Sequence, residues 1–145
     1  MRLILDTNVW LDWLIFADPR VQPLRDAVAL GAASIHATEP MLAEFETVIR
    51  RPAFALDAAA IEAAIAFQQA TVRRHASAPD CRLPCTDPND RMFLDLAVSL
   101  RIDALLSHDK ALLRARRIAQ RRFGIRIETP QAWCAAQIAA PPTPL

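Results

Sequence analysis

Two aspartates follow short apolar runs, and their positions suggest a shared binding site. The run 3–5 stops at Asp6, and the run 104–106 leads through Ser107 and His108 to Asp109. Each run suits a buried strand, so both aspartates should lie at the carboxyl ends of strands. Ligands of open parallel sheets bind at that edge. Either aspartate alone could simply cap the next helix, but two at equivalent places favour a common crevice.

Further acids fall on predicted helices, where they also have ordinary roles. Asp90 lies in the first turn of a helix, a position that the helix dipole favours for any acid. Asp87, three residues earlier, shares roughly the same side, whereas Asp95 falls on another side and is expected to be solvated. Glu44 and Glu46 flank the two edges of an apolar stripe. Helical periodicity does not choose between these two glutamates, and either could be solvated.

Hydrophobic spacing predicts strands that alternate with helices. Thr7 and Asn8 are expected to cap the first helix, since their side chains can accept bonds from free N–H groups. The predicted strands are 3–5, 34–37, 104–106 and 125–127, and the predicted helices are about 9–16, 20–30, 39–49, 57–74, 87–100, 110–123 and 130–139. This alternation predicts an α/β domain with a mostly parallel sheet and helices on both faces. We expect one domain over residues 1–140 and a loose tail over 141–145.

Bulk composition narrows the class of protein. A chain of 145 residues fits one domain. Its 17 basic and 16 acidic residues give a net charge of +1, which neither favours nor excludes a nucleic-acid partner. The chain has three cysteines, a small and odd number that does not indicate a disulfide framework. Neither a signal peptide nor a membrane span is expected, so the predicted location is cytoplasmic.

Four sequence blocks occur in an order that resembles the PIN domain. They are 5–9 (LDTNV), 42–48 (LAEFETV), 87–94 (DPNDRMFL) and 106–110 (LSHDK). The Asp-Pro-x-Asp form of the third block is similar to a PIN subfamily assigned as toxins of toxin–antitoxin systems. The resemblance extends to about Gln131. It implies a three-layer α/β/α sandwich that holds Mg²⁺ or Mn²⁺ and cleaves RNA, and the toxin subfamily implies a cognate antitoxin protein as partner. A homodimer is left open.

The resemblance assigns residues to the site one by one. The family's acidic, metal-holding positions are matched by Asp6, Glu44, Asp90 and Asp109, and its supporting polar positions by Thr7, Asn8 and Ser107. His108 stands where the family commonly has a small residue or Asn, which leaves its role open. The resemblance favours Asp90 over Asp87, which precedes a proline and is predicted to be an N-cap.

An all-carboxylate site suits a hard divalent cation. Carboxylates in one pocket repel each other, and their oxygens select Mg²⁺ or Mn²⁺ over thiophilic metals. Our hypothesis is that Asp6 bridges two metals, that Asp90 and Asp109 complete the ligand set, and that Glu44 orients or deprotonates the attacking water.

A basic segment begins one residue after Asp109. Seven basic residues and no acid lie within it: Lys110, Arg114, Arg116, Arg117, Arg121, Arg122 and Arg126. Such a run is commonly just a solvated helix face. Beside an acidic site it could instead follow a phosphate backbone, and Lys110, Arg114, Arg117 and Arg121 are the candidate RNA contacts.

Two other classes of protein, one of phosphatases and one of phosphoacceptor domains, fit poorly. Phosphatases of the haloacid-dehalogenase type need a second Asp two residues after the first, where this chain has Asn8. Receiver domains need an acidic pair after the first strand. The remaining alternative is a catalytically silent PIN-like module that binds RNA or protein.

Overall fold

Five strands form one all-parallel sheet. The computed structural model describes residues 1–139, and the tail predicted over 141–145 lies outside the described residues. The strands are β1 (Arg2–Leu5), β2 (Ser34–Thr38), β3 (Val72–His75), β4 (Ala104–Leu106) and β5 (Arg126–Glu128), in the order β3-β2-β1-β4-β5. The central strand β1 pairs with β2 on one side and with β4 on the other. After β1 the chain adds β2 and β3 on one side of it, and then β4 and β5 on the other side. This change of side creates a crevice at the carboxyl ends of β1 and β4.

Helices cover both faces of this sheet. They are α1 (Thr7–Leu14), α2 (Gln22–Ala29), α3 (Glu39–Ile49), α4 (Ala58–Thr71), α5 (Arg91–Leu100), α6 (Lys110–Arg114), α7 (Arg116–Phe123) and α8 (Pro130–Ala139). Successive strand residues point to opposite faces. Leu3 and Leu5 therefore pack in a core with α1, α2 and α8, while Ile4 packs with α5, α6 and α7. The predicted α/β class with helices on both faces is confirmed.

The strand β3 was missed by the sequence prediction, which continued the preceding helix through residue 74. The helix α4 ends at Thr71 instead, and the next four residues pair with β2 from Ile35↔Val72 to Thr38↔His75. No Gly or Pro marks this boundary. The strand is specified by long-range backbone pairing, which local helix propensity does not reveal.

The basic segment was also predicted as one helix, over 110–123, but it forms two. The backbone N–H of Ala115 donates to the carbonyl of Leu112, three residues back, and the α-helical pattern is interrupted there. Gly124, with a φ of 69°, then ends α7 in the left-handed conformation that glycine tolerates. Among the described helices, none is both long and apolar enough to cross a membrane.

Candidate functional site

Asp6 stands at the end of the central strand with its carboxylate fixed by three neighbours. Its side chain is buried; Oδ1 accepts a bond from the backbone N–H of Thr7 (2.7 Å), and Oδ2 accepts from Ser107 Oγ (2.6 Å) and from Asn8 Nδ2 (3.2 Å). Asp6 itself is the N-cap of α1, which begins at Thr7. The expectation that Thr7 and Asn8 cap this helix was therefore wrong, because both side chains bind acidic or loop residues instead.

Thr7 connects Asp6 to Glu44 on α3. The Thr7 hydroxyl donates to Glu44 Oε1 at 2.5 Å, and the Glu44 carboxylate lies close enough to Asp6 to raise the pKa of Asp6. Glu46 points elsewhere, since its carboxylate pairs with Arg50 in an exposed salt bridge. The structure thus distinguishes two glutamates that helical periodicity could not.

Asp90 and Asp109 lie close together in the same crevice, with Asp87 beside them. One carboxylate oxygen from each of the three lies within 4.8 Å of the others. Asp109 follows β4 and caps α6 by accepting from Ala111 N at 2.7 Å, while its own N–H donates to Ser107 Oγ at 2.9 Å. Asp87 caps the turn Pro88–Asp90, as predicted, because its Oδ1 accepts a hydrogen bond from the backbone N–H of Asn89 at 3.0 Å.

The electrostatics of this cluster disfavour the ionised forms of Asp90 and Asp6. Asp90 is buried, and its Oδ2 has no hydrogen-bond partner among the described residues. Burial, followed by repulsion from Asp109, Asp6 and Asp87, raises the pKa of Asp90 to about 7. Burial likewise raises the pKa of Asp6 against the opposing effect of its hydrogen bonds from Ser107 and Thr7. A divalent cation would relieve both penalties, so these side chains fit a metal centre.

Asp95 has a different role from the one expected. Its side chain is only 15% exposed, and it accepts a bond from the backbone N–H of Cys81 at 3.0 Å. Asp95 therefore holds the loop before α5 rather than facing solvent, so the expectation of a solvated acid was wrong. The bond joins residues 14 positions apart, which helical periodicity cannot anticipate.

The basic segment forms an exposed surface beside the acidic crevice. All seven basic residues are exposed, and within residues 1–139 none of the seven forms a salt bridge. Six of them, all but Arg122, line two adjoining clefts of about 310 and 400 Å³ that share Arg116 and Arg117. Glu128 also lines the larger cleft. Unpaired cations along a groove provide a surface that attracts phosphate groups.

Fold and crevice together define an α/β protein with an acidic site suited to a divalent cation. A comparison with protein-family models matches the PIN domain over residues 2–111, a range that contains all four predicted acids. The chain belongs to the PIN-domain family. PIN domains are generally nucleases that act on RNA, and they typically use divalent metal ions. No curated protein and no solved structure gives a significant match.

Proposed function

We propose that this protein is a Mg²⁺- or Mn²⁺-dependent endoribonuclease whose site consists of Asp6, Glu44, Asp90 and Asp109. The observation that carries the proposal is the environment of Asp90. A buried carboxylate oxygen that lacks a partner among the described residues, with three acids around it, is costly unless something positive compensates. Because the ligands are all oxygens, a hard divalent cation is the compensating group that fits best.

The proposed roles follow from the contacts of each acid. When bound, a divalent cation neutralises charge on the phosphoryl oxygens and makes the attacking water more acidic. Asp6, Asp90 and Asp109 would hold it, with Asp6 oriented by Ser107 and Asn8. Glu44 is oriented by Thr7 and would position the water or accept its proton.

The substrate would approach along the basic surface. Lys110 directly follows Asp109, so the first cleft starts one residue from the acidic cluster. Arg114 and Arg117 line that cleft, and Arg117 and Arg121 line the second. A single strand of RNA could place successive phosphates along this row while one phosphodiester reaches the acids.

A toxin of a toxin–antitoxin pair is the biological role that we propose. It rests on the Asp-Pro-x-Asp block, in which Asp87 caps the turn that carries Asp90 into the crevice. The proposed partner is a cognate antitoxin protein that prevents RNA cleavage.

The two glutamates of α3 offer a matched test of the proposed site. Glu44→Gln removes a carboxylate that touches Thr7, whereas Glu46→Gln removes one that pairs with exposed Arg50. We expect RNA cleavage in Mn²⁺ to fall about 100-fold or more in Glu44→Gln, as for a lost general base, and to persist in Glu46→Gln. Equal activity of the two variants would remove Glu44 from the site. Inactivity of the wild type with every RNA tested would favour the silent binding module.

A further inference from the structure

His108 lies between two residues of the site, yet its side chain turns away from the acidic cluster. It separates Ser107 from Asp109, and its Nε2 lies 2.6 Å from Asp12 Oδ2 on α1. Its backbone N–H donates to Asn8 Oδ1 at 3.2 Å. His108 therefore attaches the loop between β4 and α6 to α1 at two points.

Asp12 is well placed to hold the imidazole. It follows Asn8 by four residues, so both side chains lie on the same face of α1. Its side chain is 15% exposed, and Gln131 of α8 also donates to Oδ2, at 3.4 Å. An ionised carboxylate only accepts hydrogen bonds, so Nε2 of His108 is the donor.

The same contacts continue into the acidic cluster. The amide of Asn8 accepts from His108 N and donates through Nδ2 to Asp6 Oδ2 at 3.2 Å. Ser107 Oγ donates to the same Asp6 oxygen and accepts from the N–H of Asp109. A continuous network thus joins Asp12 and His108 to the carboxylate of Asp6 and to the backbone of Asp109.

Acidic side chains held this close together need such a restraint. One carboxylate oxygen from each of Asp87, Asp90 and Asp109 lies within 4.8 Å of the others, and a free loop could relieve this crowding of like charges by moving Asp109 outward. We propose that the Asp12–His108 pair is a positioning device that keeps Asp109 next to Asp6 and thereby raises the affinity of the site for a divalent cation. The proposal rests on the proposed function, and His108 acts here through the loop rather than by touching the metal or RNA.

Mn²⁺ binding measured by calorimetry, without RNA, tests this positioning role. Loss of a residue that orients metal ligands typically weakens metal affinity 10- to 100-fold, so we expect the dissociation constant to rise about tenfold in His108→Ala. His108→Gln keeps an N–H donor that can reach Asp12 and should bind Mn²⁺ nearly as tightly as the wild type. Arg50→Ala, which breaks exposed salt bridges with Glu46 and Glu62, is the matched control and should leave the affinity unchanged.

A double-mutant cycle gives a second, independent readout. If the pair acts as a unit, Asp12→Ala and His108→Ala should each weaken Mn²⁺ binding, and the double variant should bind no more weakly than either single one. Wild-type Mn²⁺ affinity in His108→Ala, together with a raised KM for RNA, would overturn the positioning role and make the imidazole a substrate contact. Additive losses in the cycle would overturn the coupling. A wild type that binds no Mn²⁺ would overturn both this proposal and the proposed function, so the two failures are distinguishable.

Discussion

Asp90→Asn should stabilise the metal-free protein while it abolishes cleavage. The wild-type carboxyl is buried among acids, and burial followed by repulsion from Asp109, Asp6 and Asp87 raises its pKa to about 7. A neutral Asn keeps the shape of the side chain and removes the charge. The same change removes an oxygen ligand, so stability and activity should move in opposite directions.

The size of the effect follows from proton linkage. A pKa that is higher in the folded than in the unfolded state contributes stability at low pH, and this contribution is lost as pH rises from 3.8 through about 7. About three pKa units at about 1.36 kcal/mol each give about 4 kcal/mol. In chelator, Asp90→Asn should therefore be more stable than the wild type at pH 8, by up to about 4 kcal/mol, with a small difference near pH 4.

Urea unfolding followed by circular dichroism, at several pH values in EDTA, measures this difference. Asp87→Ala is the neighbouring control: it removes an N-cap and should cost about 1 kcal/mol while it spares most cleavage. Saturating Mn²⁺ should stabilise the wild type by mass action and Asp90→Asn much less. If Asp90→Asn is no more stable than the wild type at pH 8 in EDTA, the charge of Asp90 does not destabilise the metal-free protein. If Asp87→Ala abolishes cleavage and Asp90→Asn does not, the third ligand is wrongly assigned.

Three further predictions concern other parts of the molecule. His36 is buried, and its Nδ1 lies 2.8 Å from His75 Nε2. Burial, followed by repulsion from His75, Arg2 and Arg73, lowers the pKa of His36 to about 4. The protein therefore loses stability as the pH falls from 6.5 through about 4. His36→Gln should remove up to about 3 kcal/mol of this acid sensitivity, measured by urea unfolding between pH 7 and 4, and an unchanged pH profile would contradict it. Neutralising Arg114, Arg117 and Arg121 should lower the log–log salt slope of RNA binding in EDTA by about 0.7 per lost contact, whereas an unchanged slope would make the surface a solvated helix face. Expressed alone, the wild type should slow bacterial growth and a small protein encoded beside it should relieve the effect; if wild type and Asp109→Asn are equally harmless, the toxin role loses its support.

Part of the site could be predicted because its residues follow local signals. The apolar runs before Asp6 and Asp109 indicate buried strands, and β1 and β4 are paired neighbours in the sheet. Their carboxyl ends therefore meet without any knowledge of side-chain contacts. The N-cap role of Asp87 was also predictable, because the following proline marks the first position of a helical turn.

Other features depend on contacts between distant residues, which leave no local pattern. The contact that places Glu44 in the site, with the Thr7 hydroxyl, joins residues 37 positions apart. His108 and Asp12 are separated by 96 positions, so neither spacing nor composition suggests the pair. Asp87 joins the acids around Asp90 because the turn between them is tight. Helical spacing places Asp87 and Asp90 on roughly the same side of a helix, but it does not predict the distance between their carboxylates.

We propose above all that the acidic crevice binds a divalent cation and uses it to cleave RNA. The most direct measurement is cleavage of an end-labelled RNA by purified wild type and Asp6→Asn, in Mn²⁺, in EDTA, and after Mn²⁺ is restored. We predict internal cleavage by the wild type in Mn²⁺, none in EDTA, recovery on restoring the metal, and none by Asp6→Asn under any condition. Undiminished wild-type cleavage in EDTA, or equal cleavage by Asp6→Asn, would contradict the claim.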